Sequence, residues 1–423
     1  MIFEFTYTEC TSPGPFKKET GFKVKSARIY KLAADQDNAD GSIVEAFDTE
    51  DEDGNLIQET LNEVIQNNSR LDAATTHLGG FEAPYIGPFS TPEEFASIQK
   101  GFIYDLVRFP EGGLAWILAR LSTSGPANGR PGNPFHQGIL IMNKPAKVTL
   151  LNHSTANSEL EYPRPIDILT WSGWLNPRGD VQVDASNLRS SDLPFPEISA
   201  ESMSVQHSMF VAEQGELALD VFSNVARAFM RGLPVALPGK DTEEFRTWVS
   251  VVSHLIPPSV SWFTGFGSTW RNPVPTFKEL GLPQFYWNKQ FAQEDLEVES
   301  WAYLVSKVFE YDLDLLAYDS INQVDLAFGW TNEDHVSYAL VPLALGVLGF
   351  SAEDFGEDSK DIAVECATIL LRAEWPKRRG ESSFFNNLWE SLEEPESLYN
   401  TLQDKNQLER KFEALLSPVK DQT

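Results

Sequence analysis

The residues best suited to chemistry lie in a stretch rich in proline and glycine, Gly129–His136, which reads GRPGNPFH. Two prolines and two glycines among eight residues fit neither a helix nor a strand interior, so the sequence predicts a loop between two strands. This loop carries Arg130, Asn133 and His136. A rigid loop on a sheet is a frequent place for binding residues. The alternative is a plain turn, in which Asn133 bonds its own backbone.

The chemistry that these side chains favour is binding. Tyr7, near the end of the first predicted strand, would line one pocket with Arg130, Asn133 and His136. Because an arginine stays charged and offers paired donors, such a pocket suits an anion or a peptide carboxylate better than acid–base catalysis. A nucleophilic alternative pairs Cys10 with His136, although nothing in the sequence positions the two side chains.

Signatures of metal and nucleotide sites are incomplete. None of the six histidines pairs with another histidine or a cysteine at ligand spacing, so we expect no metal and no cofactor. The segment Leu237–Thr242, LPGKDT, lies between a predicted strand and a predicted helix, as a phosphate loop would. It has one glycine where the motif needs two, and Asp241 would repel phosphate. We therefore expect no GTP or ATP hydrolysis by this chain alone.

Composition narrows the class of partner. The 423 residues carry a formal net charge of −29, which repels nucleic acid, and we expect no direct nucleic-acid partner. There are only two cysteines, and no charge-free apolar run reaches the roughly 18 residues of a membrane span. Met1 leads straight into a strand-like run without a leader pattern. These features predict a cytoplasmic protein that does not enter the membrane.

Hydrophobic periodicity predicts an α+β protein. Period-2 runs come early, as in the arms 102–109 and 114–121 of a hairpin, whereas period-3.6 runs come late. We expect a β-rich N-terminal domain over residues 1–190, a small mixed α/β middle domain over 200–290 and a helical C-terminal region over 291–423. The acidic stretch 33–55 is predicted to be a surface loop, and 186–201 a linker rich in serine and proline.

The middle region has the clearest local signals. A helix is predicted over 215–231, a short strand over 235–237 and a further strand over 259–266. Asp241 is predicted to cap a second helix, with Glu244 completing a capping box. One apolar stripe runs along that second helix: Phe245, Trp248, Val249, Val252, Leu255 and Ile256.

Several sequence blocks follow one another in a fixed order along residues 1–280. They are Tyr7-Thr8, Gly21–Ser26, Gly129–Phe135, Arg164–Asp167 with Trp174, and Glu243–Ile256 followed by Pro257-Pro258 and Ser261–Thr264. In this order they resemble the GTPase-associated protein family of bacterial conflict systems, first component, with its type 2 N-terminal domain and middle domain. The G-R-x-G-N-x-F loop is the most specific of the blocks.

The resemblance implies a non-enzymatic adaptor or sensor subunit. Its partners would be a GTPase and other proteins of an antiviral or other intracellular defence system. Arg130 and Asp167 belong to blocks that the family keeps together, which makes Asp167 the candidate acidic partner of Arg130. We expect Arg130 and Asn133 to hold the loop against the N-terminal strands.

The chain departs from the family at its histidine. The family's loop reads F-x-H, whereas here His136 directly follows Phe135 and Gln137 takes the place of that histidine. Neighbouring residues of an extended chain point to opposite faces, so either His136 has a different role here or the site lacks the family's imidazole. A hydrolase or transferase using Tyr7, Arg130 and His136 is the alternative function. An acidic mimic of nucleic acid is a third, disfavoured because many aromatic residues interrupt the charge.

Overall fold

A computed structural model describes the following parts of the chain. They are residues 2–10, 21–32, 43–48, 68–79, 101–123, 134–141, 164–171, 174, 200–229, 233–256, 258–268, 275–280, 282–288, 291, 300–310, 312, 314–315 and 317–318. For the first three of these ranges the description covers the backbone alone.

The strands of the described residues form one mixed sheet. They are β1 Ile2–Cys10, β2 Gly21–Leu32, β3 Ile43–Asp48, β4 Gly101–Arg108, β5 Leu114–Thr123, β6 Pro134–Ile141, β7 Pro234–Leu237, β8 Gly265–Gly267 and β9 Gln284–Trp287. Their order across the sheet is β3-β2-β1-β6-β5-β4-β8-β9-β7. Neighbours are antiparallel from β3 to β8, and β9 runs parallel to both β8 and β7.

Helices accompany this sheet. They are α1 Asn68–Gly79, a 3₁₀ helix Asp167–Thr170, α2 Ala200–Gln214, α3 Glu216–Phe229, α4 Thr242–His254, α5 Pro258–Ser261, α6 Pro275–Glu279 and α7 Ser300–Glu310. A mixed sheet with helices is an α+β architecture, as the sequence predicts. The sheet crosses the predicted boundary near residue 200, because β8 pairs with β4. The division into three domains stays a prediction.

The hairpin β4–β5 forms as the sequence predicts. Arg108 pairs with Leu114 at its closed end. The turn between the strands needs Gly112 and Gly113, whose φ angles of 92° and 97° are in the left-handed region that glycine tolerates. The Gly112 N–H donates to the carbonyl of Phe109 at 3.0 Å, which closes the turn.

Aromatic side chains join this hairpin to the segment after α5. The Tyr104 hydroxyl and the Trp116 indole N–H both donate to the carbonyl of Trp262, at 2.8 and 3.0 Å. The Tyr104 ring also stacks on Phe266 of β8, with centroids 5.2 Å apart. Burial, with a smaller contribution from Asp105, raises the pKa of Tyr104 well above its usual value, so the hydroxyl keeps its proton and remains a donor.

Two predicted elements are wrong in part, and proline explains both. Strand β6 begins at Pro134, so the last three residues of the predicted loop are strand instead. Proline is tolerated at the first position of a strand, where its missing N–H costs no ladder bond. The predicted strand 259–266 begins as the helical turn α5, with Pro258 at its first position, and becomes strand only at Gly265.

The predicted surface loop 33–55 and the predicted linker 186–201 are also wrong in part, because polar composition alone does not exclude a strand or a helix. Part of the acidic stretch is strand β3, which pairs with β2 through apolar partners such as Ile29 and Phe47. The predicted linker ends at Ala200, where α2 begins. Helix α2 has no single apolar stripe, because Val205 and Met209 are exposed while Val211 is buried.

Candidate functional site

The structure places two of the predicted site residues opposite each other. Tyr7 of β1 and His136 of β6 are direct cross-strand partners, and His136 also pairs with Leu121 of β5. Arg130 and Asn133 lie outside the described residues, so their contacts stay predictions. The pairing of Tyr7 with His136 follows from the antiparallel register of the two strands.

His136 is a residue of the sheet interior, not of a loop. Its side chain is fully buried, and Gln137 beside it is 2% exposed. Since neighbouring strand residues face opposite sides, both faces of β6 are covered at this point. A binding role for His136 stays a prediction, and any ligand would have to reach it through the protein interior.

Asp167 lies in a short segment, residues 164–171, that precedes α2 in the chain; we call this segment the strap. Its carboxylate oxygen Oδ2 accepts the Arg164 backbone N–H at 2.7 Å and is 3.4 Å from His254 Nε2. The Asp167 backbone N–H in turn donates to the Arg164 carbonyl at 2.9 Å. This reciprocal pair of bonds gives the Arg164–Asp167 block its tight turn. Whether Arg130 also reaches Asp167 stays a prediction.

Two tryptophans fix the strap to the core. Trp171 and Trp174 are both buried, and their rings meet edge to face with centroids 5.7 Å apart. The Trp174 indole N–H donates to the Ile168 carbonyl at 2.7 Å. The strap therefore has a defined position, and Asp167 is held beside α4.

A pair of buried histidines behind Asp167 is not evident in the sequence. His207 of α2 and His254 of α4 have ring centroids 5.3 Å apart. His207 Nδ1 is 2.9 Å from the Tyr318 hydroxyl, and its Nε2 is 3.0 Å from Ser250 Oγ. His254 donates from Nδ1 to the Ser250 carbonyl at 2.8 Å. Ser250 therefore contacts both imidazoles.

The electrostatics of this cluster favour a neutral His207. Burial lowers the pKa of His207 well below its usual value, and the charges of His254 and Arg164 lower it further. The Arg164 side chain is itself fully buried, and its guanidinium donates to the carbonyl of Ile256 at 3.3 Å. A proton on His207 would therefore add a second buried positive charge close to the guanidinium of Arg164.

A cavity of about 380 Å³ opens beside the cluster. The strap, α2 and α4 form its walls. Most of its lining side chains are polar, among them Asp167, Thr170, His207, Arg246, Thr247 and Ser250. Such a cavity, with convergent polar groups next to a titratable residue whose pKa is shifted, has the features of a binding site for a small polar molecule.

We expect acid to destabilise the wild type more than a His207→Gln variant. The pKa of His207 is lower in the folded chain than in the unfolded chain. Stability from the neutral ring is therefore present above about pH 6.5, the unfolded value, and lost as the pH falls toward the folded pKa. In that interval the slope is about 1.4 kcal/mol per pH unit for one group.

Urea unfolding of both proteins between pH 7.5 and the start of acid denaturation measures this difference. The variant serves as the control for other groups, including Asp314, whose pKa burial raises and whose contribution has the opposite sign. Parallel pH profiles for wild type and variant would contradict the prediction.

The segment that resembles a phosphate loop is closed by its own carboxylates. As predicted, Asp241 caps α4, and its side chain accepts the Glu244 N–H at 2.9 Å. The Glu244 carboxylate reaches back to the N–H of Lys240 at 3.2 Å, one residue before the cap. The Lys240 ammonium lies 3.5 Å from the same carboxylate. Two acidic side chains therefore cover the start of α4, where a phosphate would bind.

The described residues include neither a metal-binding cluster nor a membrane-spanning helix. No group of three or more histidine, cysteine, aspartate or glutamate side chains is arranged to hold a metal ion there. None of the helices described has the length and apolar character needed to cross a membrane. Comparison with protein-family models, with curated proteins and with solved structures found no match.

Proposed function

We propose that this chain is a non-enzymatic adaptor or sensor subunit that acts with a partner GTPase in a bacterial intracellular defence system. The ordered blocks along residues 1–280 support membership of the family. The acidic cap at the start of α4 supports a chain that leaves GTP hydrolysis to its partner. The proposal places the chain in the cytoplasm, with the GTPase and other proteins of the same system as partners. It keeps the three-part division at residues 1–190, 200–290 and 291–423.

The observation that carries the non-enzymatic part is the state of the α4 N-terminus. A phosphate-binding helix start needs unoccupied N–H groups and a lysine directed at the ligand. Here the Glu244 N–H donates to the Asp241 side chain at 2.9 Å, so an acidic cap occupies one of the terminal N–H groups that a phosphate would use. The Lys240 ammonium lies 3.5 Å from the Glu244 carboxylate, so an acidic group stands next to the one lysine of this segment. Any nucleotide turnover is therefore assigned to the partner.

A second candidate function is a hydrolase or transferase at Tyr7, Arg130 and His136. The cross-strand pairing of Tyr7 with His136 favours it, because the pairing brings a phenol and an imidazole to neighbouring positions of one sheet. The full burial of His136 disfavours it, because a substrate must reach the imidazole. The adaptor role is the better supported of the two.

We expect the purified chain to hydrolyse neither GTP nor ATP. Phosphate release from the wild type should equal that of a buffer blank, and Lys240→Ala should leave it unchanged, since the segment has a single glycine and an aspartate caps α4. Lys278→Ala, at another exposed lysine, is the matched control. GTP turnover that Lys240→Ala abolishes and Lys278→Ala preserves would overturn the non-enzymatic assignment.

A further inference from the structure

The cavity between the strap, α2 and α4 has a charge pattern that points to one class of ligand. We propose that it binds a small zwitterion, a free amino acid or a short peptide, with the ligand ammonium toward Asp167 and the ligand carboxylate toward Arg246. This inference deepens the sensor role proposed above and rests on it: the zwitterion is the molecule sensed.

The strap and the adjoining part of α4 form a wall that offers hydrogen-bond acceptors. Asp167 is a carboxylate, 4% exposed, that lines the cavity. The Thr170 hydroxyl donates its hydrogen to the Asp167 carbonyl at 2.7 Å, and the Thr247 hydroxyl donates its own to the Glu243 carbonyl at 2.9 Å. A hydroxyl has one hydrogen, so both threonines present lone pairs to the cavity. A ligand with several N–H donors and a positive charge complements this wall.

Arg246, next to Thr247 on α4, offers a guanidinium that a ligand carboxylate can engage. Arg246 contacts one oxygen of Glu243 from both Nε and Nη2, each at 2.9 Å. The side chain of Glu243 is 69% exposed, so this pair is a surface pair of small net stability. A ligand carboxylate that is held in the cavity as well can replace Glu243, because bidentate pairing with arginine is strong.

A second arginine adds positive charge near Glu243 and Arg246. The guanidinium of Arg120 of β5 lies 5.9 Å from the ring centre of Trp174. Burial lowers the pKa of Arg120, while the charge of Glu243 raises it and that of Arg246 lowers it. The carboxylate of Glu243 therefore interacts with both arginines.

The size and the remaining lining of the cavity agree with this ligand. About 380 Å³ is in the range of small-molecule sites and has room for an amino acid or a dipeptide. Ile166 and Met203 supply an apolar patch for a ligand side chain, and methionine adapts to different shapes. A bound zwitterion would bridge the strap to α4, which are separate in sequence, and this coupling is what a sensor requires.

The test measures binding to the full-length chain. Thermal unfolding is followed with each of the twenty common amino acids and with alanylalanine at millimolar concentration, and the best probe is then titrated by calorimetry. We expect at least one free zwitterion to raise the unfolding temperature, and its N-acetylated and carboxamide forms to bind at least about tenfold more weakly, since each lacks one charged partner.

Variants locate the site. Arg246→Gln is expected to weaken binding at least about tenfold without changing the unfolding temperature of the free protein, and Arg246→Lys to restore part of it. Arg108→Gln is the matched control. Arg108 is an exposed arginine that does not line the cavity, and its guanidinium lies 3.7 Å from the Glu279 carboxylate. Asp167→Asn tests the ammonium end, with its unfolding temperature recorded because Asp167 also fixes the strap.

The outcomes separate this inference from the proposed function. Binding of no probe, equal binding of N-acetylated and free forms, or binding of a nucleoside or sugar alone would overturn the zwitterion site. None of these results bears on the proposed GTPase partner, because that partner is tested separately by co-purification. Loss of the GTPase partner with intact zwitterion binding would overturn the proposed function and leave the site in place.

Discussion

Replacing Asp105 by alanine is expected to lower the free energy of unfolding by about 3–5 kcal/mol, since several buried donors lose one acceptor at about 1–3 kcal/mol each. Asp105 is fully buried in β4 and contacts His77 Nε2 at 2.7 Å. It also accepts the N–H groups of Thr276 and Phe277 at the start of α6, at 3.5 and 3.3 Å. The substitution leaves these donors without their acceptor inside the protein.

The control for this substitution is on the same hairpin. Glu111 is an exposed carboxylate whose partner, Arg70, is equally exposed, at 2.9 Å. Glu111→Ala should change stability little, since surface pairs contribute little. Urea unfolding of both variants measures the contrast. An Asp105→Ala protein as stable as the Glu111→Ala protein would contradict the burial of this network.

Replacing Trp248 by alanine is expected to lower the free energy of unfolding by a similar amount, about 3–5 kcal/mol. Trp248 of α4 is fully buried, and its ring meets Phe210 of α2 and Phe222 of α3 edge to face, with centroids 4.9 and 6.2 Å apart. The truncation leaves a large cavity where three helices meet.

Circular dichroism during urea unfolding measures this loss without relying on tryptophan fluorescence. Met209→Ala is the matched control, because Met209 is an apolar residue of α2 that is 62% exposed, and its removal should cost less than about 0.5 kcal/mol. Equal stability of the two variants would show that Trp248 does not fill the junction of the helices.

The sequence predicts elements whose information is local. The stripe Phe245–Ile256 and the Asp241 cap predict α4 nearly to the residue, because both signals lie within one helix. The β4–β5 hairpin is predicted because its turn carries two glycines between alternating arms. The sequence does not predict strand β3, because its apolar residues lie in a strongly acidic stretch. It does not predict the start of helix α2, because this helix lacks an amphipathic stripe.

The candidate site depends on contacts between different elements, which the hydrophobic periodicity of a single element does not predict. His207 and His254 are on different helices, and only the packing of α2 against α4 brings their rings together. The resemblance makes Asp167 the partner of Arg130, which stays a prediction, and the described contacts of Asp167 are with Arg164 and His254. The sequence predicts one pocket for Tyr7 and His136; the strand register makes them cross-strand neighbours, and the pocket itself stays a prediction.

Co-purification from the native host tests the central claim most directly. The tagged full-length chain is recovered at low salt, its companions are identified by mass spectrometry, and GTP hydrolysis is assayed for the complex and for the chain alone. The adaptor role predicts a stoichiometric GTPase in the complex, with GTP hydrolysis that the chain alone lacks. A chain that is recovered without a GTPase, or that hydrolyses GTP unaided, would contradict it.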